Sequence, residues 1–148
     1  MTLSNDIEAK RKRLEAMVDR QATTPTRGVN HVAVVSADLE RAARFYRDVL
    51  GMPLVSVAPN RDEPRSTHIN IDLGNGVGLS LFDFPNVTRP AVEGVGGLMH
   101  LALSLPRERL EAIEARAKKA GLPIQRIGDS LYFHDPDGLM LELTLVDG

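Results

Sequence analysis

The segment NHVAVVS at Asn30–Ser36 and the segment MHLALSL at Met99–Leu105 decide the fold, because both begin the same pattern. Histidine is second and alanine fourth in each segment, and both segments are apolar enough to form a strand of a packed sheet. Each then leads into an amphipathic helical pattern followed by short apolar runs. The sequence therefore predicts a duplicated strand, helix and strand unit.

The helical pattern after each segment has matching start and stop signals. The first predicted helix spans Asp38–Leu50, and apolar residues recur in it at three- and four-residue steps. Ser36 or Asp38 is suited to cap its start. The second predicted helix spans Arg107–Ala120 and has the same periodicity. Glycine follows each helix, as expected at a helix end: Gly51 and Gly121.

Short apolar runs bounded by turn residues follow each helix and predict strands joined by hairpins. The runs in the first unit are Leu54–Val57, Thr67–Leu73 and Gly78–Phe84, and those in the second are Ile124–Ile127, Leu131–His134 and Leu139–Val146. Gly74-Asn75-Gly76 and Asp135-Pro136-Asp137-Gly138 are the turn signals before the last run of each unit. The prediction is an α+β protein with two βαβββ modules.

The predicted modules occupy residues 27–87 and 98–148, with a linker at 88–97 and a helical arm and linker at 1–26. Ser4 or Asn5 is suited to cap the arm helix, which is expected to reach Arg20. It has a narrow apolar stripe of Ile7, Leu14, Met17 and Val18. Two interpretations stay open: the arm packs on a second subunit, or it lies on its own domain or is partly frayed.

Composition excludes several function classes and favours none. The chain has 148 residues, 43% hydrophobic and 26% charged, which is typical of a globular protein with a real core. A net charge of −2 argues against nucleic acid or an anionic membrane as the main partner. The absence of cysteine excludes disulfides and thiolate metal ligands. No signal peptide or membrane-spanning run is evident, so a cytoplasmic location is expected.

Two histidines and a glutamate form a candidate metal site. Side chains alternate along a strand, so Glu142 lies on the opposite face from the leucines of Leu139–Leu145. His31 and His100 hold matching positions in the two modules, on faces shared with alanines that leave room for a ligand. Two histidines and one carboxylate leave coordination positions open for water or substrate. Taken singly, a strand histidine is more often a hydrogen-bonded core or surface residue than a ligand, and a strand glutamate is more often solvated.

Three stretches resemble the vicinal oxygen chelate superfamily, which includes glyoxalases, bleomycin resistance proteins, extradiol dioxygenases, fosfomycin-resistance thiol transferases and methylmalonyl-CoA epimerases. They are GVNHVAVVSADLERAARFYRDVLGM from Gly28, GGLMHLAL from Gly96 and FHDPDGLMLELT from Phe133. The resemblance covers Gly28 to Val146. It implies an open, cup-shaped mixed sheet, the glyoxalase/bleomycin resistance/dihydroxybiphenyl dioxygenase fold, around one divalent metal.

By this resemblance the metal ligands are His31, His100 and Glu142. Ser80 stands where the first module would match Glu142, whereas glyoxalases and epimerases usually have a fourth ligand, Glu or Gln, from the first module. A three-ligand set fits extradiol dioxygenases and fosfomycin-type enzymes better. Tyr132, ten residues before Glu142, also matches the extradiol signature, although the family's additional histidine upstream of this tyrosine is missing.

The resemblance thus favours Fe(II), with Mn(II), Zn(II) or Ni(II) as alternatives, and an oxidoreductase that brings a catecholic substrate and O₂ together. Tyr132 would orient the substrate, and His68 or His134 is the candidate base, with His134 more often structural in such a turn. The expected substrate lining is Ser80, Asn70, Phe82 and Met140.

Two other functions stay open: a metal-dependent glyoxalase-like isomerase, lyase or thiol transferase, and a metal-free drug-binding protein of the bleomycin-resistance type. A small-molecule partner and a homodimer are expected in each case. The prolines and glycines between Pro85 and Gly97 allow the two modules to pair within one chain or to be exchanged between two chains.

Overall fold

The fold is described from a computed structural model, which covers residues 3–146. Residues 1–2 of the predicted arm and 147–148 of the predicted second module lie outside the described residues. The helices are α1 (Leu3–Glu15), α2 (Leu39–Arg44), which continues as a π-helical turn over Phe45–Val49, and α3 (Arg107–Lys119). The strands are β1 (His31–Val35), β2 (Leu54–Pro59), β3 (Thr67–Gly74), β4 (Val77–Phe82), β5 (Leu101–Leu105), β6 (Gln125–Ile127), β7 (Ser130–His134) and β8 (Met140–Leu145).

The strands form two four-stranded mixed sheets with the same order. The first sheet has the order β1-β4-β3-β2 and the second β5-β8-β7-β6. The first strand of each sheet is parallel to the last, and the other neighbours are antiparallel. This repeated topology confirms the predicted α+β fold of two βαβββ units.

Local signals explain where the elements begin and turn. The Asp38 side chain accepts a hydrogen bond from the Arg41 backbone N–H and so caps α2, as predicted. The hairpin between β3 and β4 has Asn75 and Gly76 as its two turn residues, both with positive φ. Positive φ at both positions is characteristic of a type I′ hairpin turn, and it falls at the turn signal predicted from the sequence. The Leu50 N–H donates to the Phe45 carbonyl, five residues back, so the end of the first predicted helix is a π-helical turn.

The N-terminal arm differs from its prediction. Within the described residues the helix spans Leu3–Glu15, so Ser4 and Asn5 lie inside it rather than at its cap. It ends at Glu15, five residues before Arg20, which instead forms an ion pair with Glu15. The predicted apolar stripe is exposed, and its last two members lie beyond the helix: Ile7, Leu14, Met17 and Val18. The described arm therefore does not pack on its own domain.

The two modules share one hydrophobic core, built on the helix-bearing side of each sheet. The Phe45 ring lies against Phe133 at 6.2 Å between centroids, and the Tyr46 hydroxyl donates to Asp135 at 2.8 Å. Arg116 Nε donates to the Val49 carbonyl at 2.8 Å. The modules thus join through their helical sides, which leaves the opposite face of both sheets open.

Within residues 3–146, no helix is long and apolar enough to cross a membrane.

Candidate functional site

The predicted site residues of the first module line one open pocket on the helix-free face of the first sheet. The strand register places Ser80 next to Asn70 and Ala33, and Phe82 next to His68. The pocket has a volume of about 350 Å³. We call its five predicted site residues the first half-site: His31, His68, Asn70, Ser80 and Phe82.

Asn70 is at the centre of the hydrogen bonds in the first half-site. Its Oδ1 accepts from Ser80 Oγ at 2.6 Å and lies 3.2 Å from His68 Nε2, and its Nδ2 donates to Ser56 Oγ at 2.7 Å. Because an amide oxygen only accepts, Nε2 of His68 carries the hydrogen in this bond. Nδ1 of a neutral His68 is then a proton acceptor.

An aromatic stack adjoins this polar group. The His68 ring lies parallel to Phe82, with centroids 4.3 Å apart and an interplanar angle of 3°, and Phe84 extends the stack. The first half-site therefore combines a polar floor with a flat aromatic wall, which suits a small substrate with both polar and planar parts.

The remaining predicted site residues lie on the corresponding face of the second sheet. Glu142 on β8 is next to Ala102 on β5 and Tyr132 on β7, and Met140 lies on the same face. His100 directly precedes β5. We call these four residues the second half-site: His100, Tyr132, Met140 and Glu142.

Glu142 is held by neighbours on both of its carboxylate oxygens. Oε2 lies 3.0 Å from His100 Nε2, and Oε1 accepts from Ser130 Oγ at 2.7 Å. The side chains of His100 and Glu142 are 29% and 14% exposed, so both still face an accessible space. The hydrogen bond from Ser130 is the main reason that the pKa of Glu142 lies below its usual value, and Tyr132 and His100 act in the same direction. The carboxylate is therefore kept charged.

Tyr132 completes the polar surface of the second half-site. Its ring meets His100 edge-on, with centroids 6.1 Å apart. A hydrogen bond with Glu142 is the main reason that the pKa of the Tyr132 hydroxyl is raised. Tyr132 thus stays a hydrogen-bond donor at neutral pH.

The structure brings His100 and Glu142 together but leaves His31 in the first half-site. Within the described part of a single chain, no three histidine or carboxylate side chains come close enough together to hold one metal ion. His134 is exposed at the end of β7, opposite Met140 and on the same face as Tyr132, and it also borders a groove with Arg41 and Pro136.

The His100 and Glu142 pair fits a divalent metal. Imidazole nitrogen and carboxylate oxygen bind such ions at about 2.0 to 2.2 Å, so two ligands at right angles around one ion lie roughly 3 Å apart. The 3.0 Å between Nε2 and Oε2, which is also the length of a direct hydrogen bond, is compatible with that separation. One further ligand would complete a two-histidine, one-carboxylate set.

Two residues of this region, Ser130 and Ser56, were not identified from the sequence. Ser130 is two residues from Tyr132 on the same strand, so strand alternation places it on the same face. Ser56 is adjacent to Asn70 only through the pairing of β2 with β3, which includes a register shift. Strand alternation could therefore have identified Ser130 from the sequence, whereas no sequence signal pointed to Ser56.

Comparison with known proteins places this geometry in a family. A sequence profile described as the Glyoxalase/Bleomycin resistance protein/Dioxygenase superfamily matches residues 28–143. MhqA of Bacillus subtilis, named as an inferred ring-cleaving dioxygenase, is 30% identical over 79% of this chain. The match spans only 40% of MhqA's own length.

Two further matches cover most of both proteins. The metallothiol transferase FosB of Shouchella clausii is 29% identical over 78% of this chain and 78% of its own. The crystal structure of a glyoxylase/bleomycin resistance protein/dioxygenase domain from Frankia sp. is 26% identical, with a TM-score of 0.69 over 82% of this chain and 99% of the other. The chain belongs to the Glyoxalase/Bleomycin resistance protein/Dioxygenase superfamily.

Proposed function

We propose that this protein is a metal-dependent enzyme in which His31, His100 and Glu142 hold one divalent ion, and that it acts on a small-molecule substrate as an extradiol-type dioxygenase. The observation that carries the proposal is the 3.0 Å approach of His100 Nε2 to Glu142 Oε2 on an open sheet face. A carboxylate beside an imidazole, both accessible, supplies two of the three ligands that the proposed site needs.

His31 of a second copy of the chain supplies the missing ligand in this proposal. Within one chain the modules join through their helical sides, so neither half-site covers the other. If two chains face each other around a two-fold axis, the first half-site of each meets the second half-site of the other. That arrangement gives two equal sites per dimer and covers both open sheet faces.

The residues around the ion have separate roles. A bound divalent ion supplies Lewis acidity that polarises substrate oxygens. Tyr132 donates a hydrogen bond that orients the substrate, and His68 accepts a substrate proton at Nδ1. Phe82 and Met140 provide apolar contact and exclude water, while Asn70 and Ser80 hold His68 in place.

Three observations support ring cleavage with Fe(II) over other reactions. Ser80 stands at the position matching Glu142, so the first module offers no carboxylate there and the proposed ligand set has three members. Tyr132 lies beside Glu142 at the spacing of the extradiol signature. The chain is similar to MhqA, named as an inferred ring-cleaving dioxygenase.

A second candidate is transfer of a thiol, or an isomerase or lyase reaction, at the same metal with Mn(II), Zn(II) or Ni(II). Its support is the similarity to FosB, described as a metallothiol transferase, over most of both chains. The feature that favours a metal enzyme over a metal-free binding protein is the approach of His100 to the Glu142 carboxylate on an accessible face.

Elemental analysis of protein purified without chelator or a nickel column tests the proposal, followed by oxygen uptake with catechols. Iron near one atom per chain, with substrate-dependent oxygen uptake, is the expected result. Zinc, nickel or manganese without oxygen uptake would favour the second candidate. Protein that is empty and takes up no divalent ion would contradict both.

A further inference from the structure

Ser130 lies at the start of β7 and is only 9% exposed, on the floor of the second half-site. Its hydroxyl oxygen lies 2.7 Å from Glu142 Oε1 and 3.0 Å from Thr144 Oγ1. Both partners are on the neighbouring strand β8. Thr144 is directly opposite Ser130, and Glu142 is two residues before Thr144. A buried hydroxyl between two fixed neighbours has little freedom to reorient.

The direction of these hydrogen bonds follows from their chemistry. The Ser130 hydroxyl has a single hydrogen, and a charged carboxylate only accepts. Ser130 can donate that hydrogen to Glu142 or to Thr144 Oγ1, and the shorter distance and the charge of the carboxylate favour Glu142. A hydrogen bond to a charged acceptor is stronger than one between two neutral groups.

The consequence is that the two oxygens of Glu142 are not equivalent. Oε1 is occupied by Ser130, and Oε2 is the oxygen beside His100. We propose that Ser130 is a positioning residue that makes Glu142 bind the metal through Oε2 alone. This inference rests on the proposed metal site and adds how its carboxylate is used.

Binding through one oxygen matters for the reaction. A carboxylate that binds through both oxygens occupies two coordination positions, so one that binds through a single oxygen leaves a position for substrate. The first module has no matching hydroxyl at this place. The position that matches Ser130 holds His68, which stacks on Phe82. The hydroxyl occurs only in the module that carries the carboxylate ligand.

The test is Co(II) binding by the purified dimer of Ser130→Ala and Ser130→Thr, with Ser104→Ala as the matched control. Ser104 is on the same face, on β5 opposite Thr144. We expect Ser130→Ala to bind Co(II) about 10- to 100-fold more weakly, as loss of a residue that orients a ligand does. Its Co(II) absorption band should weaken as the coordination number rises. Ser130→Thr should restore both properties, and Ser104→Ala should change neither.

A change smaller than about 10-fold in Ser130→Ala, with an unaltered Co(II) spectrum, would overturn the role of Ser130 and leave the metal site standing. Parent protein that binds no Co(II) would overturn the metal site and this role with it. If Ser130→Ala does not fold, Ser130→Cys serves instead, because a thiol fills nearly the same space and is only a weak hydrogen-bond donor to Glu142. It should weaken Co(II) binding in the same direction, and unchanged binding there would also overturn the inference.

Discussion

Glu142 illustrates how one side chain can be prepared for a metal before the metal binds. Ser130 and Tyr132 hold its carboxylate and lower its pKa, so it is charged at neutral pH without a bound cation. A charged carboxylate that is only 14% exposed needs a compensating partner, and His100 lies at the required distance.

The first prediction concerns this residue. Glu142→Gln keeps the shape of the side chain and removes the negative charge. Metal affinity should therefore fall by more than the roughly 10- to 100-fold that is typical when a residue that only orients a ligand is lost. Metal content after dialysis measures the change, and Glu111→Gln on the exposed surface of α3 is the control. Equal metal content in Glu142→Gln and the parent would rule out Glu142 as a ligand.

A second prediction concerns the buried pair that links the modules. The Tyr46 hydroxyl donates to Asp135, whose pKa is raised chiefly by burial. Tyr46→Phe should lower the free energy of unfolding by about 1.5 to 3 kcal/mol where Asp135 is charged, as expected for a lost hydrogen bond to a charged group. Urea unfolding measures the free energy of unfolding, with Tyr132→Phe as the control. If Tyr46→Phe lowers this free energy no more than the control does, the Tyr46–Asp135 hydrogen bond does not stabilise the fold as stated.

The pH dependence of the same variant has a definite sign. Because the folded pKa of Asp135 is raised, its contribution to stability is greatest at low pH and is lost as pH rises through that pKa. The donor from Tyr46 matters most once Asp135 is charged. The cost of Tyr46→Phe should therefore grow with rising pH, and a cost that shrinks across a pH series would contradict this account.

Single residues were predictable from the sequence where alternation and repeat position fix a face. Those two rules assign Glu142 and His100 to a shared face, and the structure has them in contact there, whereas Tyr132 was identified only through the resemblance to the extradiol signature. The separation of His31 from His100 was not predictable, because it depends on how the modules pack. That packing is set by contacts such as the one between Phe45 and Phe133, which no local pattern encodes.

At the scale of elements, capping residues and turns were the most dependable signals. Asp38 caps α2, and the Asn75-Gly76 turn joins β3 to β4, both as predicted. The arm helix was predicted too long, because its apolar stripe continues past Glu15 although the helix does not. Without tertiary contacts, a stripe alone does not extend a helix.

The N-cap of α2 gives a testable prediction about the stability of this helix. Asp38→Ala removes the acceptor for the Arg41 N–H, so the free energy of unfolding should fall by about 1 kcal/mol, within a range of roughly 0.5 to 2. Glu40→Ala, in the first turn of the same helix, loses only an exposed pair with Arg44 and should cost about 0.5 kcal/mol or less. Equal losses in the two variants would mean that the cap does not stabilise α2.

The whole molecule presents its two half-sites on open faces rather than to each other. One core joins the helical sides of both modules, and the predicted ligands are divided between two sheets. In the proposed arrangement, a second copy of the chain therefore completes each metal site.

The most direct test combines two defective variants in one dimer. His31→Ala and Glu142→Ala chains are produced together with different tags, the dimer carrying both tags is isolated, and its metal content is measured. In a shared site both defects fall in one site of this dimer and the other site is intact, so it should hold about half of the parent's metal while each variant alone holds almost none. A mixed dimer that is as empty as the two variants would contradict the shared site.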